Sequence, residues 1–323
     1  MIPRTLFEAE HDLFRENVRR FLETEAVPFH HEWEKQGQVD RKLWKMAGDQ
    51  GFLCPTVAEA YGGVGTDFRY NVVVDEELAR AGVTGIGWGL HSNIVAPYVE
   101  HYGSEEMKQR LLPKMVTGEL VGAIAMTEPG AGSDLQGVKT TAVKDGDHYI
   151  INGSKTFITN GQHANIVIVV CKTDPKAGAK GTSLLIVEEG MKGFSKGRNL
   201  EKVGLKAQDT SELFFQDVRV PASNLIGAEN QGFIYLMQEL PQERLGVAVA
   251  AVACSESLIE QTVAYVKQRN AFGKSVASFQ NTQFKLAELA SEVTQQRVFV
   301  LRSRSALHSS RDYMIRHVVR RKS

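Results

Sequence analysis

TTAVKDGDHYIINGSKTFIT, residues 140–159, is where the periodicity of this chain changes. Short runs rich in β-branched and aromatic residues, TTAVK, HYII and KTFIT, are separated by DGD and NG, which punctuate strands with tight turns. The pattern continues downstream through NIVIVVCK (165–172), TSLLIVE (182–188) and ELFFQDVRV (212–220), with KAGAKG (176–181) between the first two. These runs predict a small antiparallel β domain without a βαβ unit. On either side the spacing is helical. Phe7, Phe14, Val18 and Phe21 share one helix face, and Ser104 followed by Glu105 and Glu106 reads as a capped helix start feeding MKQRLLPKM. After Pro221 the helical signal returns. LGVAVAAVAC (245–254) is apolar on every face, as a helix buried all round would be, and Leu286, Leu289, Val293 and Val300 form a stripe on a following helix. The order predicts an α+β fold: an N-terminal helical domain over 1–121, a middle antiparallel β domain over 122–222, and an incomplete C-terminal helical bundle over 223–301. A basic tail over 302–323 follows, with seven Lys/Arg against the single Asp312.

Composition narrows the function classes. With 323 residues, 42% of them hydrophobic, and a formal charge of zero, the chain has enough apolar material for sizeable cores. Neutral balance argues against a nucleic-acid partner. No uninterrupted apolar run reaches the roughly 18 to 20 residues that span a bilayer, so no membrane insertion is expected. The opening MIPRTLFEAEHDLF has neither a signal-peptide core nor an Arg-rich, acid-poor transit segment. A cytoplasmic protein, or a mitochondrial matrix protein after processing, is the expectation. Cys54, Cys171 and Cys254 have no partners at zinc or C-x-x-C spacing, which predicts buried, reduced thiols and no metal. His30 and His31 are adjacent and diverge on a helix, so they are read as a solvated face. His91 in WGLHSN has two readings, a residue near a ligand pocket or a satisfied core histidine.

Two stretches carry chemistry. AMTEPGAGSD, residues 125–134, fits neither the GxGxxG dinucleotide fingerprint nor a phosphate-binding loop ending in GK[ST]. Gly130 and Gly132 let a backbone approach a ligand closely and offer N–H groups to phosphate, while Thr127 and Ser133 add hydroxyls. The plainer reading is a flexible Pro-Gly turn between elements. In INGSKTFITNG, residues 151–161, Asn152-Gly153 reads as a turn into a strand on which Phe157 and Thr159 share a face. Such a face could cover a flat heterocycle, or belong to an ordinary hairpin.

Together these stretches resemble the acyl-CoA dehydrogenase family. The resemblance extends to YGGVG (61–65), YGSEEMKQRLLPKMVTGE (102–119), GLKAQDTSELFFQDVRVP (204–221) and QRNAFGKSVASFQ (268–280). AMTEPGAGSDLQG, KAQDT and ELPQERL are similar to its long-chain branch. The resemblance implies FAD as cofactor, an acyl-CoA substrate, a homo-oligomer (dimer or tetramer), and electrons passed to an electron-transferring flavoprotein. It implies αβ-dehydrogenation to trans-2-enoyl-CoA in fatty acid β-oxidation. Carried over by position, Ala125, Met126 and Thr127 would meet the flavin, with the Thr127 hydroxyl near N5, and Gly132 and Ser133 the pyrophosphate. Ser133 would also lie close to the CoA part of the substrate, and Phe157, Ile158 and Thr159 would cover the other side of the ring. Arg269, Phe272 and Gln280 match the motif that grips the FAD of a neighbouring subunit.

The reaction needs a carboxylate to remove the α proton. Glu243 in ELPQERLGVAVAA falls where the long-chain and isovaleryl branches carry their base, with Pro241, Gln242 and Arg244 as substrate contacts. Pro241 suits a first helical turn, which would put Glu243 in that turn. A solvent-facing acid complementing the helix dipole is the plainer reading of Glu243, and a salt bridge that of Arg244. Glu239 is the alternative base. Beyond about Val300 the family pattern is not followed, so a truncated, catalytically weak remnant that binds acyl-CoA or a subunit is the second functional reading. An acyl-CoA oxidase is the third.

Overall fold

The computed structural model describes residues 6–309. The helices are α1 (Ala9–Glu25), α2 (His30–Gln36), α3 (Lys42–Asp49), α4 (Arg69–Ala81), α5 (Ala96–Tyr102), α6 (Glu105–Val116), α7 (Gly232–Gln268) and α8 (Gln280–Ser309). The strands are β1 (Gly122–Ala125), β2 (Thr141–Asp145), β3 (His148–Thr159), β4 (Ile166–Lys172), β5 (Thr182–Glu188), β6 (Phe194–Asn199) and β7 (Thr210–Pro221), with β8 (Asn270–Ala271) and β9 (Lys274–Ser275) forming a separate hairpin. Helices, strands and helices follow one another as the sequence predicts. Two packing units interleave along the chain. One comprises 28–71 and 84–242; the other comprises the residues up to Val27, Val72–Val83 and those from Glu243 onward.

The first unit is built on a sheet of order β1-β4-β2-β3-β7-β6, with β5 on β4. It is antiparallel except where β1 runs parallel to β4, and where Thr141 of β2 meets Lys172. NIVIVVCK has no alternation because both faces of β4 are covered. Ile166, Ile168 and Val170 join a core with α5, α6 and residues such as Leu111 and Met115. Val167, Val169 and Cys171 point to the opposite core with Tyr149, Ile151 and Leu213. The α6 start is as read: Ser104 Oγ accepts the Met107 N–H at 3.2 Å.

One turn was misread. Asn152-Gly153 is not a hairpin turn, because HYII and KTFIT are a single strand, β3. Asn152 exchanges two hydrogen bonds of 2.9 Å with Asp217 across a register shift in β7. Gly153, at φ +153°, has Thr140 Oγ1 within 2.4 Å of where a Cβ would stand. Close strand approach, rather than chain reversal, requires the glycine.

In the second unit, Arg297 pairs with Glu76 and Glu256 at 2.6 Å each, and Arg15 meets Glu76 at 2.8 Å and Glu77 at 3.0 Å. These pairs tie α1, α4, α7 and α8 together around Val18, Leu22, Val73, Val249 and Val300. LGVAVAAVAC departs from the expectation of all-round burial: Leu245, Val249 and Ala253 are buried, but Val247 is 70% exposed. Helix α7 also departs from the count of uninterrupted apolar residues. It is long and apolar enough to cross a bilayer by length and composition, a measure that core helices of soluble proteins also pass. Of the basic stretch 302–323, residues 302–309 continue α8 and the rest lies outside the described residues.

Candidate functional site

The loop after β1 is anchored, not flexible. Glu128 and Ala131 exchange backbone hydrogen bonds of 2.9 and 3.1 Å, closing a tight reversal around Pro129 and Gly130. The Glu128 carboxylate accepts from the backbone N–H groups of Lys139 (2.7 Å) and Thr140 (2.9 Å), joining the start of the loop to its end. The lysine absent from AMTEPGAGSD comes from β3. Lys155 Nζ donates to Glu128 Oε1 (2.9 Å), Met126 O (3.0 Å) and Val170 O (2.7 Å). Burial pushes Glu128 upward, but the Thr140 and Lys139 hydrogen bonds and the Lys155 ammonium outweigh it and hold the carboxyl below its usual range. Burial draws Lys155 below its usual value while Glu128 opposes; three acceptors on three donors favour the ammonium.

Directly after Lys155, β3 bulges. Lys155 pairs with Leu213 and Ile158 with Ser211, so one extra residue stands on β3. Phe157 there has φ +59° and is 67% exposed. A bulky residue in the left-handed region is an outlier that points to function. Simple alternation from Phe157 to Thr159 therefore does not describe this segment. The neighbouring Thr156 N–H donates to Thr127 O at 2.9 Å, bonding the bulge to the loop.

The residues expected around a flavin thus fall into distinct settings. Ala125 and Ile158 are buried in the sheet core, Met126, Thr127 and Thr159 are half-buried, and Gly132, Ser133 and Phe157 are exposed. Neither Gly130 nor Gly132 has a left-handed φ, and a Cβ on either would meet no atom within 4 Å. Among the described residues, no neighbouring atom demands these glycines. Open backbone N–H groups beside the Ser133 hydroxyl suit a pyrophosphate, and an exposed, strained aromatic ring suits a flat heterocycle. The chemistry of this loop and bulge fits FAD.

On α7 the sequence reading needs a second correction. The helix begins at Gly232, so Pro241 is internal and Glu243 lies about three turns in, not in the first turn. The helix-dipole reading of Glu243 falls with it. Pro241 is tolerated although it has no N–H to give the carbonyl four residues earlier. Gln242 Nε2 donates to Asn93 O at 3.0 Å. Glu239 is buried and accepts from Tyr102 Oη at 2.6 Å, with His101 Nδ1 at 2.9 Å, which commits it to a structural cluster. In the second unit Glu243 is half-buried and Arg244 exposed. Arg244 lines an apolar groove of about 410 Å³ with Leu245, Val252, Val293, Phe299 and Val300, whereas Glu243 does not line it. Adjacent helical side chains diverge, which is why Arg244 borders this groove and Glu243 does not.

Arg269, Phe272 and Gln280 cluster around the β8-β9 hairpin and the start of α8, all exposed. Phe272 (φ +52°) and Gly273 (φ +75°) form the two-residue turn, with φ positive at both positions as a type I′ turn requires. His91 is the satisfied core histidine. Its Nδ1 accepts the Gly122 N–H at 3.0 Å and its Nε2 donates to Met115 O at 3.0 Å, while burial lowers its pKa to about 4. Burial raises Cys54 and Cys171 to about 12, so both are inert thiols. Sequence reasoning missed Asp209, whose carboxylate accepts the Gln162 N–H at 2.7 Å and the His163 N–H at 3.2 Å, fixing the turn after Thr159. It also missed the Glu128–Lys155 pair. The available signal was a lysine inside an apolar strand.

Comparison with known proteins agrees over most of the described chain. The family models for the acyl-CoA dehydrogenase N-terminal, middle and C-terminal domains match residues 8–119, 123–218 and 230–313. The chain is 58% identical to the mitochondrial long-chain specific acyl-CoA dehydrogenase of Sus scrofa, over 92% of this chain and 70% of that protein. The crystal structure of an acyl-CoA dehydrogenase from Geobacillus kaustophilus is 57% identical with a TM-score of 0.91, covering 93% of this chain and 80% of that one. An acyl-CoA dehydrogenase from Bacillus anthracis, solved in complex with FAD, is 34% identical with a TM-score of 0.86, covering 92% of this chain and 51% of that one.

Proposed function

The chain belongs to the acyl-CoA dehydrogenase family, and from that premise we propose that it carries out FAD-dependent αβ-dehydrogenation of long-chain acyl-CoA thioesters in fatty acid β-oxidation. The observation that carries this reading is 54–58% identity to long-chain specific acyl-CoA dehydrogenases over 92% of the chain. FAD is the cofactor. When bound, it supplies the acceptor for the hydride that leaves the β carbon.

The remaining work belongs to the chain's own residues. Glu243 takes the α proton onto its carboxylate, with Arg244, Gln242 and Pro241 contacting the substrate. Met126, Thr127, Phe157 and Thr159 hold the isoalloxazine. Gly132 and Ser133 hold the pyrophosphate, and Ser133 also reaches the CoA. Ala125 and Ile158 are buried and serve by shaping the backbone of these two segments. Arg269, Phe272 and Gln280 grip the FAD of a second subunit, a role their exposure supports. This reading entails a homo-oligomer, an electron-transferring flavoprotein as acceptor, and a bacterial cytoplasm or mitochondrial matrix as the compartment.

The test is the visible spectrum of the purified protein before and after palmitoyl-CoA. A yellow protein that bleaches, and that turns over palmitoyl-CoA much faster than butyryl-CoA, is the expected result. A colourless protein that does not take up FAD overturns the reading; equal turnover of the two substrates overturns only the chain length.

A further inference from the structure

We propose that Glu128 and Lys155 are positioning residues for the cofactor site, a buried ion pair that sets the loop 126–140 and the β3 bulge into one ligand-ready shape. This rests on the FAD-dependent reading above. Both side chains are almost completely out of solvent, at 6% and 0% exposure, so neither can itself face a ligand in water. What they touch is backbone. Lys155 fixes Met126 O, the residue before Thr127; Glu128 fixes the N–H groups of Lys139 and Thr140, at the far end of the segment bearing Gly132 and Ser133.

The covalent neighbours complete the device. Thr156, next to Lys155, donates to Thr127 O, and Phe157 follows in its left-handed conformation. A displacement of Lys155 is therefore transmitted both to the Thr127 carbonyl and to the Phe157 ring. Backbone N–H groups bind an anion only if they converge, and an exposed loop with two glycines does not hold such a shape unaided. A buried charge pair with every donor and acceptor engaged has one low-energy geometry, which makes it suited to specifying structure rather than adding stability. Three directional donors from Nζ could not be replaced by an apolar side chain of the same volume.

Because a merely structural pair would also destabilise the fold when broken, affinity and stability must be read separately. The full-length apoprotein is titrated with FAD, the visible absorption and circular dichroism of the flavin are recorded at saturation, and thermal unfolding is followed without FAD. Lys155→Met should raise the FAD dissociation constant about tenfold or more, because it leaves a buried carboxylate and two carbonyls without their donor. Glu128→Gln, which retains one acceptor oxygen, should raise it about threefold and serves if Lys155→Met does not fold. The double variant Glu128→Gln/Lys155→Met should recover unfolding temperature but neither FAD affinity nor the wild-type flavin dichroism. Wild-type affinity and spectrum in either folded single variant overturn the proposal, as does an affinity that recovers in step with stability in the double variant. A wild-type protein that takes up no FAD defeats the functional reading first, and this inference with it.

Discussion

Two phenylalanines of this chain hold left-handed backbone, and they do so for different reasons. Phe157, at φ +59°, stands in the interior of a strand, where the bulge is enforced by the pairing of β3 with β7 and by the Thr156–Thr127 hydrogen bond. Phe272, at φ +52°, occupies a two-residue hairpin turn whose shape is local, with Gly273 beside it and open solvent around it. The first conformation is imposed by residues far away in sequence; the second by the shortness of the turn. Strain held by tertiary structure is costly to remove and marks a site that works as a unit. Strain held by a turn is confined to the turn.

The sharpest test of this contrast lies in the reaction itself. Glu243→Gln keeps side-chain size while removing the proposed base, so flavin reduction by palmitoyl-CoA should fall by about 10²-fold or more, with FAD content unchanged. Stopped-flow reduction checks it. An unimpaired rate would remove Glu243 from its role, and Glu239, held by Tyr102 and His101, offers no ready substitute.

Next in size is the buried pair. Lys155→Met strands the Glu128 carboxylate in the protein interior and should cost about 3–5 kcal/mol of unfolding free energy. The double variant with Glu128→Gln should regain most of it, since no uncompensated charge remains. Denaturant unfolding of the wild type, both single variants and the double variant gives the coupling directly. A loss below about 1 kcal/mol for Lys155→Met would place the pair in an environment as screened as a surface bridge.

How far these features could be read in the sequence follows the same divide. Ser104 as a cap and the strand runs around NIVIVVCK depend on neighbours within a few residues, and propensity and spacing report them. The helix start at Gly232 was missed because Pro241 imitates a first turn, and only packing of the preceding nine residues reveals that the helix is already under way. Asn152-Gly153 imitates a hairpin turn for a like reason. Its glycine answers a close approach by Thr140, and its asparagine pairs with Asp217, neither of which is near in sequence. Of the site, AMTEPGAGSD and KTFIT were legible as separate motifs. Their union was not, because a lysine on a strand and a glutamate in a loop, 27 positions apart, carry no local signal of pairing.

His91 provides a pH test of intermediate size. Buried as a neutral ring with pKa about 4, against about 6.5 for an unfolded chain, it binds protons less readily in the folded state. Stability is therefore complete above pH 6.5 and declines as pH falls toward 4, by up to about 3 kcal/mol from this group. His91→Gln should be less stable at neutral pH, through loss of one of the two bonds, yet flatter across that window. Chemical denaturation at pH 7.5, 6 and 5 would show it; equal slopes in both proteins would assign the acid sensitivity elsewhere.

The smallest effect is the one that separates the two phenylalanines. Phe272→Gly should leave stability unchanged or raise it by up to about 2.5 kcal/mol, because two terms oppose and strain relief is the larger. Relief of a left-handed aromatic residue is worth about 1–3 kcal/mol, while glycine loses about 0.5–1 kcal/mol through its freedom in the unfolded chain. Little packing is lost, since the ring is 96% exposed and makes one edge contact with Phe279 at 6.3 Å. Phe157→Gly relieves the same kind of strain, but the bulge persists because β7 and Thr127 dictate it. It should therefore not lower stability, yet should weaken FAD retention, since the ring proposed to cover the flavin is gone. Thermal unfolding of both variants, read beside flavin content, decides the matter. A large stability loss in Phe157→Gly would mean that the ring builds the bulge, and the two conformations would then have a common, local origin after all.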